Sequence, residues 1–116
     1  MIVKRLACLF TLLILAGCAG IQTTAVVTPT PDAVERGRVL FRNKGCVTCH
    51  VNDRVEGEGG VLGFEAPNLT NYTNDPAFLQ RWLADPPAVR PGTQMPNLRL
   101  SAAEIEDLIA FLNEPR

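Results

Sequence analysis

The chain has little positive charge and almost no histidine. Its 116 residues contain one histidine, one tryptophan, one tyrosine and two methionines, and 11 basic residues stand against 12 acidic ones. A net charge of −1 gives no basic footprint for nucleic acid. With 47% hydrophobic and 20% charged residues, the composition also excludes a charge-driven disordered chain. The length allows one small domain at most.

The apolar run near the N-terminus is too short to span a bilayer comfortably. Residues 6–16 are 11 uncharged residues that follow Lys4 and Arg5, whereas a membrane-spanning helix needs about 20. A basic start and an apolar middle predict a secretory signal over residues 1–17, which also contains Cys8. A short uncleaved anchor is the alternative.

Four residues at the end of that run, Leu15, Ala16, Gly17 and Cys18, resemble the lipobox of bacterial lipoproteins. The resemblance implies a diacylglycerol in thioether linkage on Cys18, which becomes the first residue of the mature chain. The protein is then expected on the outer face of the cytoplasmic membrane or the periplasmic face of the outer membrane. Ordinary signal cleavage with Cys18 merely nearby is the alternative. Without the two basic residues of the signal, nine remain against 12 acidic ones, a formal charge of −3.

The rest of the chain reads as a tether followed by a small all-α domain. Residues 18–31 are small, rich in threonine and end in alternating prolines, so they predict a flexible tether, although a tail without a tethering role is the alternative. Helices are predicted from Asp32 to about Lys44, from Pro76 to Ala84 with Asp75 as its cap, and from Ser101 onward. The third begins with a Ser101–Glu104 capping box.

Long loops separate these helices. Residues 51–71 have no sustained period, residues 85–100 hold several prolines, and no strand signal exceeds noise. Three short helices in a domain over residues 32–116 bury little apolar surface, and small domains of this kind usually need a metal, a disulfide or a cofactor. The composition therefore predicts a prosthetic group.

The segment Cys46, Cys49 and His50 is a Cys-x-x-Cys-His motif, the attachment pattern of c-type haem. Two thiols one helical turn apart match the two vinyl groups of the porphyrin, and the histidine that follows projects to the iron. A zinc site is less favoured because it wants four ligands, and a redox dithiol is less favoured because it wants a βαβ context. Haem c is therefore predicted on Cys46 and Cys49.

Beyond this motif, residues 32–116 resemble a class I cytochrome c. In that family a helix runs into the haem motif, and a downstream methionine supplies the sixth iron ligand. Met95, in the run Pro91, Gly92, Thr93, Gln94, Met95, matches that distal loop. The resemblance implies His50 and Met95 as the iron ligands, whereas a lone methionine filling a gap in a core is the alternative.

The resemblance also assigns further residues. Gly37 and Phe41 match the first helix where it crosses Leu108 and Phe111 of the last, which explains a glycine that otherwise costs about 1 kcal/mol in a helix. Pro67 and Leu69 match the Pro-x-Leu whose proline carbonyl accepts from the proximal imidazole. Trp82, Thr93 and, less specifically, Tyr72 match donors to the haem propionates, although each is also open to ordinary packing. The run from Leu79 to Met95 is most similar to the cytochrome domain fused to some bacterial haem–copper oxidase subunits.

The family implies an electron carrier rather than an enzyme. A membrane-tethered one-electron shuttle between a quinol-oxidising complex and a terminal oxidase or another acceptor is the expected function. The alternatives are a fixed haem subunit of a larger membrane redox complex and a haem peroxidase or gas-binding protein. Lys44 is the only lysine after the signal, so the chain lacks the lysine ring that docks mitochondrial relatives onto acidic partners.

Overall fold

The computed structural model describes residues 29–57, 59 and 66–115. Within them the chain forms four α-helices and one 3-10 turn, and the only strand-like pairing is an isolated bridge between Asn52 and Val55. The helices are α1 (Pro31–Asn43), α2 (Pro76–Ala84), α3 (Pro86–Val89) and α4 (Ala102–Leu112), and the 3-10 turn is Cys46–Thr48. The predicted all-α fold is confirmed. The predicted signal, Cys18 and most of the predicted tether lie outside the described residues.

Helix α1 begins one residue before the predicted start. The Thr30 hydroxyl accepts a hydrogen bond from the Ala33 amide at 3.3 Å, and Pro31 occupies the first turn, where its missing N–H is not needed. Gly45, at φ +79°, then turns the chain out of the helix. The haem motif therefore follows α1 with no intervening loop.

Helix α2 agrees with its prediction, but the expectation of irregular chain after it is wrong for four residues. The Asp75 carboxylate accepts from the Phe78 amide at 2.8 Å, which confirms the predicted cap. Pro86 and Pro87 end α2 and also begin α3, a single turn. Proline fits the first turn of a helix because its φ is preset and no N–H donor is required there.

Helix α4 begins with the predicted capping box. The Ser101 hydroxyl accepts from the Glu104 amide at 3.3 Å, and the Glu104 carboxylate accepts from the Ser101 amide at 2.9 Å. Lys44, at the end of α1, lies 2.7 Å from the same carboxylate. The pKa of Glu104 is lowered because Lys44 and the Ser101 amide donate to its charged form.

Helices α1 and α4 cross at Gly37, as the sequence predicted. A Cβ atom on Gly37 would lie 2.0 Å from the Asp107 carbonyl oxygen and 2.7 Å from the Phe111 Cβ, so only glycine allows this approach. One turn further, the Phe41 and Phe111 rings pack with centroids 5.6 Å apart. Arg36 joins Asp107 through two hydrogen bonds of 2.7 and 2.8 Å across the same crossing.

The core surrounds this crossing. None of the helices in the described ranges is long and apolar enough to cross a membrane. The buried residues of the core cluster are Phe41, Val55, Leu69, Leu83, Ile105, Leu108, Phe111 and Leu112. Five of these eight also line a cavity, so the core of this small domain is one wall of the site described next.

Candidate functional site

Two adjoining cavities of about 400 and 460 Å³ lie beside the core. The first has mainly apolar walls from α2, α4 and the end of α1, and the second lies against the loop around Met95. Both volumes are within the range of cofactor and ligand sites. Six residues line both cavities: Cys46, His50, Pro67, Trp82, Arg90 and Met95.

The Cys-x-x-Cys-His segment forms one edge of the site. The amides of Cys49 and His50 both donate to the Cys46 carbonyl, at 3.2 and 2.8 Å, and this tight turn brings both thiols and the imidazole to the cavities. Cys49 lines the larger cavity, and neither thiol is in a disulfide. Burial raises the pKa of Cys46 to about 11, as expected for a thiol against an apolar wall.

The His50 ring is held through one of its nitrogens. Nδ1 lies 2.8 Å from the Pro67 carbonyl oxygen, which can only accept, so Nδ1 carries the proton and donates it. In a neutral imidazole with this tautomer, Nε2 has no proton and can bind a metal. The predicted partner of His50 is therefore present at hydrogen-bond distance.

The loop that carries Met95 is held by a tight turn. Gly92 adopts φ +82°, a left-handed conformation that favours glycine, and the Thr93 amide donates to the Arg90 carbonyl at 3.1 Å. The Thr93 hydroxyl oxygen accepts from the Met95 amide at 3.2 Å. Met95 is half-buried and lines both cavities, so its thioether shares them with the His50 imidazole.

The remaining residues assigned from the sequence also lie at the site. Leu69 is buried against the smaller cavity, and Thr93 lines the larger one. Trp82 lines both and stacks on Phe78, with ring centroids 6.2 Å apart. Tyr72 lines the smaller cavity, and its hydroxyl accepts from the Asn74 side-chain amide at 2.8 Å. The structure thus brings every assigned haem-site residue to one pair of cavities.

Sequence reasoning missed three polar residues at or next to the site. Arg90 is the one arginine or lysine that lines either cavity, and its position immediately before Pro91 and Gly92 was the available signal. Asn52 and Arg54 hold the chain behind His50, and no motif marks them. Asn52 is 2% exposed, and the Arg54 guanidinium lies 4.2 Å from the centre of the Phe111 ring.

The donor set fits haem c. Two thiols one turn apart, an imidazole and a thioether share the two cavities, and the polar groups there include an indole, two hydroxyls, a carboxamide and a guanidinium. Among the described residues, no group of three or more His, Cys, Asp or Glu side chains could hold a metal ion by itself.

Comparison with known proteins agrees with this geometry. A family model described as cytochrome c matches residues 34–114. Cytochrome c oxidase subunit 2 of Alkalihalophilus pseudofirmus is 31% identical over 102 residues, covering 78% of this chain and 28% of the relative. The protein of the same name from Bacillus subtilis is 26% identical over 97 residues, covering 73% and 27%. No solved structure gives a significant match.

The chain spans just over a quarter of the length of these relatives. The match to the family model begins inside α1, ends after α4 and includes the thiols, His50 and Met95. The resemblance predicted from the sequence is confirmed: the chain belongs to the cytochrome c family, and it transfers electrons through haem c attached covalently to Cys46 and Cys49.

Proposed function

We propose that this protein is a membrane-tethered one-electron carrier, not an enzyme, whose haem iron is bound by His50 and Met95. The observation that carries the proposal is that these two side chains line the same two cavities beside both thiols. With both ligands on the iron, no coordination position is open for a substrate. The thioether favours the ferrous state and raises the potential above that of a bis-histidine haem.

Bound haem would supply the one-electron couple, and the residues around it would position the iron ligands and the propionates. The Pro67 carbonyl keeps the Nδ1 proton of His50 in place, and the Thr93 hydroxyl positions Met95 through its amide. Trp82, Thr93 and Arg90 provide an indole N–H, a hydroxyl and a guanidinium as partners for the two propionates. The apolar wall excludes water and disfavours the extra charge of ferric iron.

The ligand assignment predicts the behaviour of Met95→Ala. We expect the ferric charge-transfer band of thioether ligation to disappear, the ferrous form to bind carbon monoxide, and the midpoint potential to fall by more than about 59 mV, a tenfold change in a one-electron equilibrium constant. The potential falls because water, a harder ligand than a thioether, favours ferric iron. Optical spectra with and without carbon monoxide and a redox titration measure this.

Asn97→Ala is the matched control, because Asn97 is exposed on the same loop and bonds only the Arg99 amide in the described structure. It should keep the wild-type spectrum. If the wild-type ferrous protein binds carbon monoxide readily, Met95 is off the iron, and a peroxidase or gas-binding function replaces the carrier.

The proposals for a lipid anchor and for redox partners are based on the sequence. The lipobox at residues 15–18 supports a lipid on Cys18, and a tether up to Thr30 would raise the local concentration of the domain at the membrane. The donor would be a quinol-oxidising complex, and the acceptor a terminal oxidase or another redox protein.

We expect the wild-type protein in the membrane fraction and Cys18→Ser outside it, as measured by haem staining after fractionation. Equal membrane retention of both would contradict lipid anchoring.

A fixed subunit of a larger redox complex is the second candidate. The similarity to two proteins named cytochrome c oxidase subunit 2 favours it, because those names describe parts of an assembly. Purification from detergent-solubilised membranes separates the two candidates. A mobile carrier elutes alone, whereas a fixed subunit remains with its complex at moderate salt.

A further inference from the structure

The segment that follows His50 lies alongside the segment that carries Pro67. Hydrogen bonds connect residues 50–53 with residues 67–70, and three of them span 17 positions: His50 with Pro67, Asn52 with Leu69, and Asp53 with Thr70. Another, between the Leu69 amide and the Val51 carbonyl, spans one position more. A nearly constant separation means that the two segments run side by side in the same direction. The position of the Pro67 carbonyl relative to the imidazole therefore depends on the bonds further along the same pair of segments.

Asn52 makes the buried bond of this set. It is 2% exposed and is the one buried polar or charged side chain in the part of the chain that the structure describes. Its Nδ2 donates to the Leu69 carbonyl at 2.9 Å, while the Leu69 amide donates to the Val51 carbonyl at 2.8 Å. Leu69, two residues after Pro67, is thus held at both of its backbone polar groups.

The other half of the Asn52 amide faces a donor. Its Oδ1 accepts from the Arg54 amide at 3.1 Å. The Arg54 guanidinium in turn donates to the Phe111 carbonyl at 2.6 Å and pairs with Glu114, which connects this turn to the end of α4. A donor on one side and an acceptor on the other are what a carboxamide provides. Leucine would satisfy neither group, and a carboxylate would repel the Leu69 carbonyl.

We propose that Asn52 is a positioning residue for the proximal iron ligand, and that through Leu69 and Pro67 it sets the strength of the hydrogen bond on His50 Nδ1. The proposal rests on the proposed role of His50 as that ligand. A strong bond to Nδ1–H makes the imidazole a better donor to iron and stabilises the ferric state. If Pro67 is less firmly held, the bond weakens, ferric iron loses stabilisation, and the midpoint potential rises.

Asn52→Leu in the haem-loaded protein tests this. The side chain is similar in volume, but the Arg54 amide loses its bond to Oδ1, and the Leu69 carbonyl keeps only the long bond of 3.4 Å from the Tyr72 amide. We expect the equilibrium constant for reduction to increase about threefold or more, measured as a rise in midpoint potential.

The second expected result concerns proton exchange. We expect the His50 Nδ1 proton, followed by NMR in the ferrous protein, to exchange with water about ten times faster or more. Asn52→Ser, which is too short to reach the Leu69 carbonyl, should change both quantities in the same direction.

Ile105→Ala is the matched control. Ile105 is 4% exposed in the core cluster but lines neither cavity, and its side chain makes no hydrogen bond, so this variant loses stability without removing a hydrogen bond between the two segments. It should leave the potential and the proton exchange unchanged. If the Asn52 variants lose stability as the control does while potential and exchange stay at wild-type values, Asn52 only supports the fold and the proposal is overturned.

Two further measurements keep the outcome unambiguous. The ring protons of His50, shifted upfield by the haem in the NMR spectrum of the wild-type ferrous protein, establish ligation by His50 separately, so a negative result at Asn52 overturns this inference and leaves the ligand assignment standing. If neither Asn52 variant folds, the wild-type protein decides the question. After correction for their different intrinsic exchange rates, the Asn52 Nδ2 protons and the His50 Nδ1 proton should show one common free energy of opening, and a lower free energy of opening at Asn52 alone would overturn the proposal.

Discussion

Without its haem, the protein is expected to lose its native tertiary structure. The apolar cavity of about 400 Å³ is walled by five residues of the core cluster. At about 24 cal/mol per Å³, leaving a space of that size empty costs ~10 kcal/mol, an upper limit because the cleft is open to solvent. Small domains have only about 5–15 kcal/mol of total stability, so the haem-free chain has little or none left.

The double variant Cys46→Ala, Cys49→Ala, produced and purified without haem, provides the measurement. We expect its near-ultraviolet circular dichroism to be lost, its far-ultraviolet signal to be partly retained, and a hydrophobic dye to bind it. The haem-loaded wild-type protein is the control and should show none of these changes. A cooperative thermal transition in the haem-free variant would show that the helices hold together without the cofactor.

Gly37→Ala should destabilise the protein strongly, although it adds only one methyl group. Its Cβ would lie 2.0 Å from the Asp107 carbonyl oxygen, a backbone atom, so α1 and α4 must move apart. Overpacking of this kind costs about 1–3 kcal/mol or more, and separating the Phe41 and Phe111 rings adds to it. The higher helix propensity of alanine offsets only about 1 kcal/mol of this loss. We expect a net loss of about 2–3 kcal/mol, or ~10 °C or more in Tm.

Thermal unfolding of the haem-loaded variant, followed by circular dichroism, measures this loss. Arg36→Ala is the control at the same crossing, since it removes only the ion pair to Asp107 from a side chain that is 60% exposed. Surface pairs contribute about 0–1 kcal/mol, so its Tm should stay within a few degrees of wild type. If the two variants unfolded at the same temperature, the close approach at Gly37 would not be needed for stability.

The sequence predicted the parts of this molecule that follow from local chemistry. Asp75 and Ser101 act as helix caps, and each accepts a hydrogen bond from the amide three residues further along the chain. A cap of this kind involves only neighbouring residues, so a short stretch of sequence is enough to predict it. Glycine inside a helix lowers the stability of that helix, and close packing against another helix can offset the loss. For this reason the sequence predicts a helix crossing at Gly37. The iron ligands were proposed from spacing and resemblance, and the structure brings their side chains together.

Other features could not be predicted from the sequence. They depend either on contacts between distant residues or on a residue type that is compatible with two local structures. Residues 85–100 are predicted as a loop because of their prolines, but proline also starts a helix, and α3 is missed for that reason. Asn52 and Arg54 are ordinary polar residues in a loop until their partners at Leu69 and Phe111 are known. A hydrogen bond across 17 or 57 positions leaves no local pattern to read.

The crossing of α1 and α4 also determines the order in which the molecule can be completed. Arg36 and Asp107, which meet there, are separated by 71 positions, so α1 has no helix to pack against at this crossing until nearly all of the described domain has emerged from the ribosome. Cys46 and Cys49 emerge about sixty residues earlier. During that interval no finished core covers the two thiols, and haem attachment can take place on an open chain. The topology thus delays closure of the domain until after the cofactor has had access to its site.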